Sequence, residues 1–269
     1  MRLNFTKMHG AGNDFVMVEN LDGSVRLTTR QIAHLCHRRF GVGADGLVLV
    51  EKAPSEEVDA QMIYFNADGS RADMCGNAAR CFTAFALAHR VGSPQGLSFR
   101  TDAGDLVSRA MGGQYTVEMT PTSDLRLNFT LPLATGPALL HFANTGVPHV
   151  IKFVPNLEEV DIVAEGSELR YHEAFSPRGA NVNFARVNGN GVIVRTYERG
   201  VEDETLACGT GVAAVAIVAH LVHNVAKPVH LEVAGGATLS VDFQVEGDSI
   251  EGVNLTGPAT VVYSGKIEI

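Results

Sequence analysis

Tryptophan is absent from this chain of 269 residues, lysine occurs only five times and cysteine only four times. The interior must therefore close without the largest aromatic. Four cysteines, at positions 36, 75, 81 and 208, are too few and too dispersed for a disulfide scaffold. Long apolar runs are missing too: the longest, from Val212 to Ile217 and on to Val222, is broken by His220 and is far too short to span a bilayer. The opening MRLNFTKMHGAGNDF has polar residues every few positions and lacks the apolar stretch of a secretory signal. Basic residues are in deficit, 21 against 30 acidic, for a net charge of −9. That balance excludes the electrostatic footprint of a nucleic-acid binder and disfavours anionic membrane surfaces. The expectation is a reduced, cytoplasmic protein with no nucleic-acid or membrane partner.

Apolar residues make up 45% of the chain and charged residues 19%, enough for proper cores and incompatible with intrinsic disorder. At about 150 residues per domain, the length favours two domains. Most of the sequence reads as short β-branched runs separated by Gly, Asn, Asp and Pro. Expected strands include 46–51, 61–66, 106–111, 115–119, 181–187 and 191–197. The segment 28–40 reads as an amphipathic helix, with a capping box of Thr28 and Gln31 at its start and Gly41 as its stop.

Two further helical windows differ in kind. GNAARCFTAFALAHR (76–90) and GTGVAAVAIVAHLVH (209–223) are apolar or small nearly all the way round, so each is expected to be buried on every face, with a sheet wrapped around it. Both follow one plan: a strand, a polar loop bearing acidic residues, a Cys-Gly pair, then the helix. Cys75 and Cys208 lie 133 residues apart, close to half the chain, which points to an internal duplication. The fold class expected is α+β, with an N-terminal domain over 1–124 and a C-terminal domain over 125–258, joined in the polar, Pro-bearing stretch around Thr120–Asp124. The active site is expected in the cleft between them.

A cysteine at a helix start feels the positive end of the helix dipole, which favours its thiolate. The amides that follow have no partner within the helix and suit a carboxylate, and Gly76 and Gly209 allow its close approach. Two such sites related by duplication suit an amino acid whose α-carbon has a sulfur on each face. One thiolate removes the α-proton and the opposing thiol returns one, while amide donors hold the developing charge. Such stereoinversion needs no pyridoxal phosphate and no metal. None of the five lysines lies near either cysteine segment, and no His/Cys cluster has convincing ligand spacing.

Six blocks of sequence carry a resemblance. FNADGSRADMCGNAAR (65–80) and YERGVEDETLACGTG (197–211) resemble the two cysteine motifs of the diaminopimelate epimerase family. KMHGAGNDF (7–15), RFGVGADG (39–46), TGVPH (145–149) and ANVNF (180–184) extend it, in family order, over nearly the whole chain. The resemblance implies a cofactor-independent isomerase that interconverts LL- and meso-2,6-diaminopimelate in lysine and peptidoglycan-precursor biosynthesis, acting as a homodimer. It also implies a duplicated fold, each half a curved mixed sheet around a central helix, with a last strand, 259–269, returning to the N-terminal half. Cys75 matches the family's proton donor and Cys208 its acceptor, and the roles exchange with reaction direction. Gly76, Asn77, Gly209 and Thr210 match the amides that hold the carboxylate of the reacting centre. Asn13, Asn66, Asn181, Glu198 and Arg199 match substrate contacts, and His149 and Glu198 match residues that tune the cysteine pKa values. Gly46 and Val147 stand where some members carry Gln and Asn, so the distal carboxylate must rely on Asn66, Asn181 and Arg199.

Other readings lead elsewhere. Same-fold racemases of proline or histidine need no grip on a second amino-acid head. A thiol hydrolase would use one cysteine with His149, and a non-catalytic binding protein would exchange no α-proton. Cys36 and Cys81 read as core packing, and the cluster His34, Cys36, His37 as an ordinary helix surface. Gly41-x-Gly43-x-x-Gly46 lies between a helix and a strand, the wrong context for a dinucleotide fingerprint. A disulfide between Cys75 and Cys208 on oxidation is a further expectation of the facing-cysteine arrangement.

Overall fold

The computed structural model describes residues 1–247 and 249–269. The chain divides into two compact units, Met1–Glu118 with Thr256–Ile269, and Met119–Leu255. The first contains β1 (Arg2–Gly10), β2 (Asn13–Asn20), α1 (Thr29–Cys36), β3 (Gly46–Lys52), β4 (Ala60–Asn66), β5 (Arg71–Ala72), α2 (Gly76–Ala88), β6 (Gly96–Thr101), β7 (Gly104–Met111) and β8 (Gln114–Glu118). The second contains β9 (Ser123–Leu133), β10 (Gly136–Asn144), β11 (Pro148–Phe153), α3 (Ile162–Arg170), β12 (Asn181–Asn188), β13 (Gly191–Glu198), β14 (Asp203–Thr205), α4 (Gly209–His223), β15 (Val229–Val233) and β16 (Thr238–Glu246). β17 (Ser249–Pro258) leads back to the first unit, where β18 (Thr260–Glu268) ends the chain.

The two units have the same strand order. In the first, β1–β2 is antiparallel, β2–β3 parallel, β3–β4 antiparallel, β4–β6 parallel and β6–β7 antiparallel. In the second, β10–β11, β11–β12, β12–β13, β13–β15 and β15–β16 repeat that sequence of directions. Each first strand has one more antiparallel neighbour, β18 on β1 and β9 on β10. A parallel pair needs a crossover, and helices supply it at matching places: α1 and α3 at the first parallel join, α2 and α4 at the second. The duplication seen in the Cys-Gly motifs is therefore a duplication of the whole mixed sheet.

Each apolar helix is wrapped as expected. α2 packs against β1 to β4 and β6 to β8, and α4 against β10 to β13, β15 and β16. In α4 Val212, Val215, Ile217 and Val218 are all fully buried. At about 1.5–3 kcal/mol for each such side chain, this burial dominates the helix's stability over its propensity, which β-branching weakens. α2 presents Phe82 to Phe99 of β6, ring centroids 4.6 Å apart. Among the described residues, no helix is long and apolar enough to cross a membrane.

α1 departs from expectation. Its capping box of Thr28 and Gln31 forms, but the helix ends at Cys36 rather than running to Phe40. The chain turns back over the helix end, where the amides of Val42 and Gly43 reach Leu35 O and that of Ala44 reaches Cys36 O. Those carbonyls are therefore satisfied by the returning loop instead of by another helical turn. Gly41 is placed so close to His34 O that no Cβ fits there.

Candidate active site

Two ways of starting a helix coexist. α1 and α3 begin at Thr28 and Asp161, whose side-chain oxygens accept from first-turn amides. α2 and α4 begin at Cys75 and Cys208 in extended conformation, followed by buried Gly76 and Gly209. Sulfur is a weak acceptor, so this choice of N-cap leaves first-turn amides to serve a ligand.

In the first unit, Cys75 Sγ donates to Asn13 Oδ1 at 3.6 Å, and Asn77 Nδ2 donates to the same oxygen at 3.2 Å. Asn13 Nδ2 donates to Asp45 Oδ2 at 2.7 Å, which fixes the amide so that its oxygen faces the thiol. Behind it, Asp14 takes both guanidinium nitrogens of Arg38 and pairs with Lys7 at 2.7 Å. Burial pushes the Asp14 carboxyl up, but Arg38 and Lys7 outweigh it and hold it down at about 2. Arg80 is fully buried and donates to Asn77 Oδ1 at 2.7 Å and to the carbonyls of Gly76 and Pro258. Asn66, by contrast, is exposed at the end of β4, with its side chain donating to Ser70. Gly46 has no room for a side chain, since a Cβ there would lie 2.5 Å from Phe65 O and 2.7 Å from the Tyr64 ring.

In the second unit, Cys208 is buried and its Sγ lies 3.5 Å from Thr210 Oγ1. The same hydroxyl lies 2.9 Å from Nε2 of His149, which is fully buried. Burial, helped by the charge of Arg199, pulls the His149 pKa down to about 3, so the ring is neutral at physiological pH. Asn181 Oδ1 accepts from the Arg199 amide at 2.8 Å, and its Nδ2 donates to Pro148 O. Glu198 Oε2 accepts from the Thr205 hydroxyl at 2.7 Å. Burial and the neighbouring Arg170 and Arg178 lower the Arg199 pKa, so a ligand carboxylate would find concentrated positive charge at this point.

Of the residues singled out in the sequence, Asn13, Cys75 and Asn77 meet in one hydrogen-bonded group, and His149, Cys208 and Thr210 in another. Asn181 and Arg199 join at the backbone of the turn after β13. Sequence reasoning missed Asp45, Arg80, Asn183 and Thr196 as parts of these groups. Two of them carried a signal. Arg80 follows Asn77 by three positions on one helix face, and Asn183 follows Asn181 by two on one strand face.

Comparison with known proteins bears on this arrangement. A family model described as diaminopimelate epimerase matches residues 5–123 and 141–262. A diaminopimelate epimerase of Chlorobaculum tepidum is 40% identical over 271 residues, covering 97% of this chain and 100% of that relative. One from Archaeoglobus fulgidus is 39% identical over 284 residues, covering 100% of this chain and 98% of the relative. Among solved structures, a hydroxyproline epimerase from Agrobacterium vitis superimposes with a TM-score of 0.73 at 17% identity, covering 99% of this chain and 92% of that one. A PhzF-family protein from Bacillus anthracis gives 0.75 at 17%, each chain fully covered. At such identities these two structures share the fold alone.

Proposed function

This chain belongs to the diaminopimelate epimerase family, so it is an isomerase that interconverts LL- and meso-2,6-diaminopimelate, and we propose that Cys75 and Cys208 are its paired acid and base. The observation that carries the assignment is the repeated helix start, one cysteine per unit at the N-cap of a buried helix, each followed by glycine. Inversion needs a base on one face of the α-carbon and an acid on the other, and each half of the duplication supplies one sulfur. The α-carboxylate is held by first-turn amides at Gly76–Asn77 and Gly209–Thr210, whose dipoles also stabilise charge as it develops on removal of the α-proton. Asn13, Asn66, Asn181, Glu198 and Arg199 contact the rest of the substrate, Arg199 binding the distal carboxylate. These residues perform the chemistry without a cofactor.

A hydrolase in which His149 activates one thiol fits the geometry less well, because Nε2 of the ring is engaged by the Thr210 hydroxyl, which lies beside Cys208 Sγ. The proposal extends to a homodimer in the cytoplasm, with the exposed Val261, Val262 and Tyr263 of β18 as the surface a second copy would cover.

Proton NMR of LL-diaminopimelate with reduced protein in D₂O tests the assignment. Loss of the α-proton signal with growth of the meso isomer is expected, and neither is expected with Cys75→Ser or Cys208→Ser. Full exchange in either variant removes that cysteine from the reaction. Exchange on proline or histidine but not on diaminopimelate would change the substrate.

A further inference from the structure

The two sulfurs have unlike partners although the units share one plan. Strand register aligns the halves residue by residue. Phe15 lies opposite Gly46 at the start of β3, and His149 opposite Asn181 at the start of β12. Two residues further along these strands, Val48 lies opposite Tyr64, and Asn183 opposite Thr196. Thus Phe15, Val48 and Tyr64 in the first unit correspond to His149, Asn183 and Thr196 in the second. The first set is core, with the Phe15 and Tyr64 rings edge-on at 6.0 Å. The second set is polar, equally buried and joined by hydrogen bonds.

The polarity of that second set is determined as far as the His149 ring. Thr196 Oγ1 donates to Asn183 Oδ1 at 3.0 Å, and Asn183 Nδ2 donates to Val150 O at 3.0 Å. A backbone carbonyl only accepts, so the amide has one orientation. Its Nδ2 also faces His149 Nδ1 at 3.1 Å, which makes Nδ1 the acceptor and puts the ring proton on Nε2. Nε2–H then donates to Thr210 Oγ1 at 2.9 Å, which leaves the hydroxyl proton available to Cys208 Sγ, 3.5 Å away. Gly211 makes room for the assembly: a Cβ there would collide with Asn183 Oδ1 and crowd the His149 ring at 3.2 Å. At Cys75 the sense is opposite, because Asn13 Oδ1 accepts from the thiol. Position 147, two residues before His149 as Asn13 is before Phe15, holds valine and offers no such acceptor.

Resting on the assignment of Cys75 and Cys208 to the reaction, we propose that Asn183, His149 and Thr210 form a hydrogen-bond relay of fixed direction that holds Cys208 as the resting thiolate. Asn13 holds Cys75 as the thiol. A donor to sulfur stabilises its charged form, and an acceptor from sulfur stabilises its neutral form. His149 is then a neutral donor, not a proton acceptor. Asn183 is a positioning residue that sets its tautomer. The charged groups around this end of α4 include Arg199, whose field reaches the His149 ring, and Glu198, held by Thr205 on β14. The empty protein is therefore poised for the direction in which Cys208 removes the α-proton, and the reverse direction requires a proton to be exchanged between the two sulfurs and solvent first.

Iodoacetamide labelling of the reduced full-length protein across pH, with adducts at each cysteine quantified by peptide mass spectrometry, tests the relay. Cys208 is expected to react at lower pH than Cys75. Thr210→Val is expected to slow Cys208 labelling near neutral pH by about tenfold, the loss of one hydrogen bond to a charged acceptor, and to leave Cys75 unchanged. Thr210→Ser keeps the hydroxyl and the wild-type profile. Asn183→Val, which copies Val48 of the first unit, moves Cys208 in the same direction as Thr210→Val. Nitrogen-15 spectra of labelled histidine are expected to show His149 as the neutral Nε2–H tautomer from about pH 5 to about pH 9. An unchanged Cys208 profile in Thr210→Val, an equal loss in Thr210→Ser, or an Nδ1–H ring overturns the relay. Epimerisation that survives Cys208→Ser would instead remove the catalytic assignment and leave the labelling result standing.

Discussion

At the scale of single residues, His149 shows what burial does to a titratable group. Its ring is neutral in the fold, with a pKa near 3 against an ordinary 6.5. Between those values the unfolded chain binds a proton that the folded chain refuses. Stability is therefore complete above about pH 6.5 and is lost as the pH falls toward 3, at about 1.4 kcal/mol per pH unit. Urea unfolding at pH 7 and pH 5 is expected to differ by about 2 kcal/mol from this group alone. His149→Gln, which cannot take up the proton, should flatten the difference by that amount. An identical pH dependence in the variant would show that His149 ionises as freely in the folded protein as in the unfolded chain. Cys36 and Cys81 are the complementary case, since burial pushes both thiols up to about 12. They serve the core and have no part in proton transfer at neutral pH.

At the scale of elements, the decisive features are the starts of α2 and α4. A helix opened by Cys-Gly forgoes the roughly 1 kcal/mol that a Ser, Thr, Asp or Asn cap contributes, and stays folded because most of its surface is buried. The second-unit helix also needs glycine at its third position. Gly211→Ala is expected to force Asn183 and His149 away from the helix, at about 1–3 kcal/mol of stability and with a fall in epimerisation rate. Thermal unfolding and the NMR exchange assay read the two losses separately. Retention of both stability and rate would mean that β12 yields to the added methyl without disturbing the site. Elsewhere the elements behaved as their sequences suggested, with α4 spanning Gly209–His223 and ending at Asn224 in the left-handed region. α1 was overestimated because its stop is made by a loop that folds back onto it, a contact that helical periodicity does not encode.

For the whole molecule, the first unit is completed by the end of the chain. β18 pairs with β1 from Arg2–Glu268 to His9–Thr260, so the first strand would otherwise be an open edge. Truncation after Pro258 is expected to strip that edge and expose Leu3 and Phe5, whose neighbours include Ile267 and Ile269. Loss of cooperative unfolding and aggregation of the shortened chain are the expected results, read by circular dichroism and light scattering. A shortened chain with native unfolding would show that the first unit closes without its last strand. The arrangement also ties the termini together, through backbone contact between Met1 and Ile269.

Much of this protein is legible in its sequence. Two helices apolar on every face required sheets around them, and two Cys-Gly helix starts half a chain apart announced the duplication and put forward the two sulfurs of the proposed site. Those are local properties of composition and spacing, which act through burial and helix polarity wherever the chain goes. What only the tertiary structure decided was how the halves differ. Phe15 and His149, Val48 and Asn183, and Tyr64 and Thr196 become comparable only when strand register aligns them. The direction of a hydrogen bond depends on every partner in its chain, so the orientation of Asn183 and the tautomer of His149 follow from Thr196 and the Val150 carbonyl. Those partners come from three strands, and no single stretch of sequence holds them together.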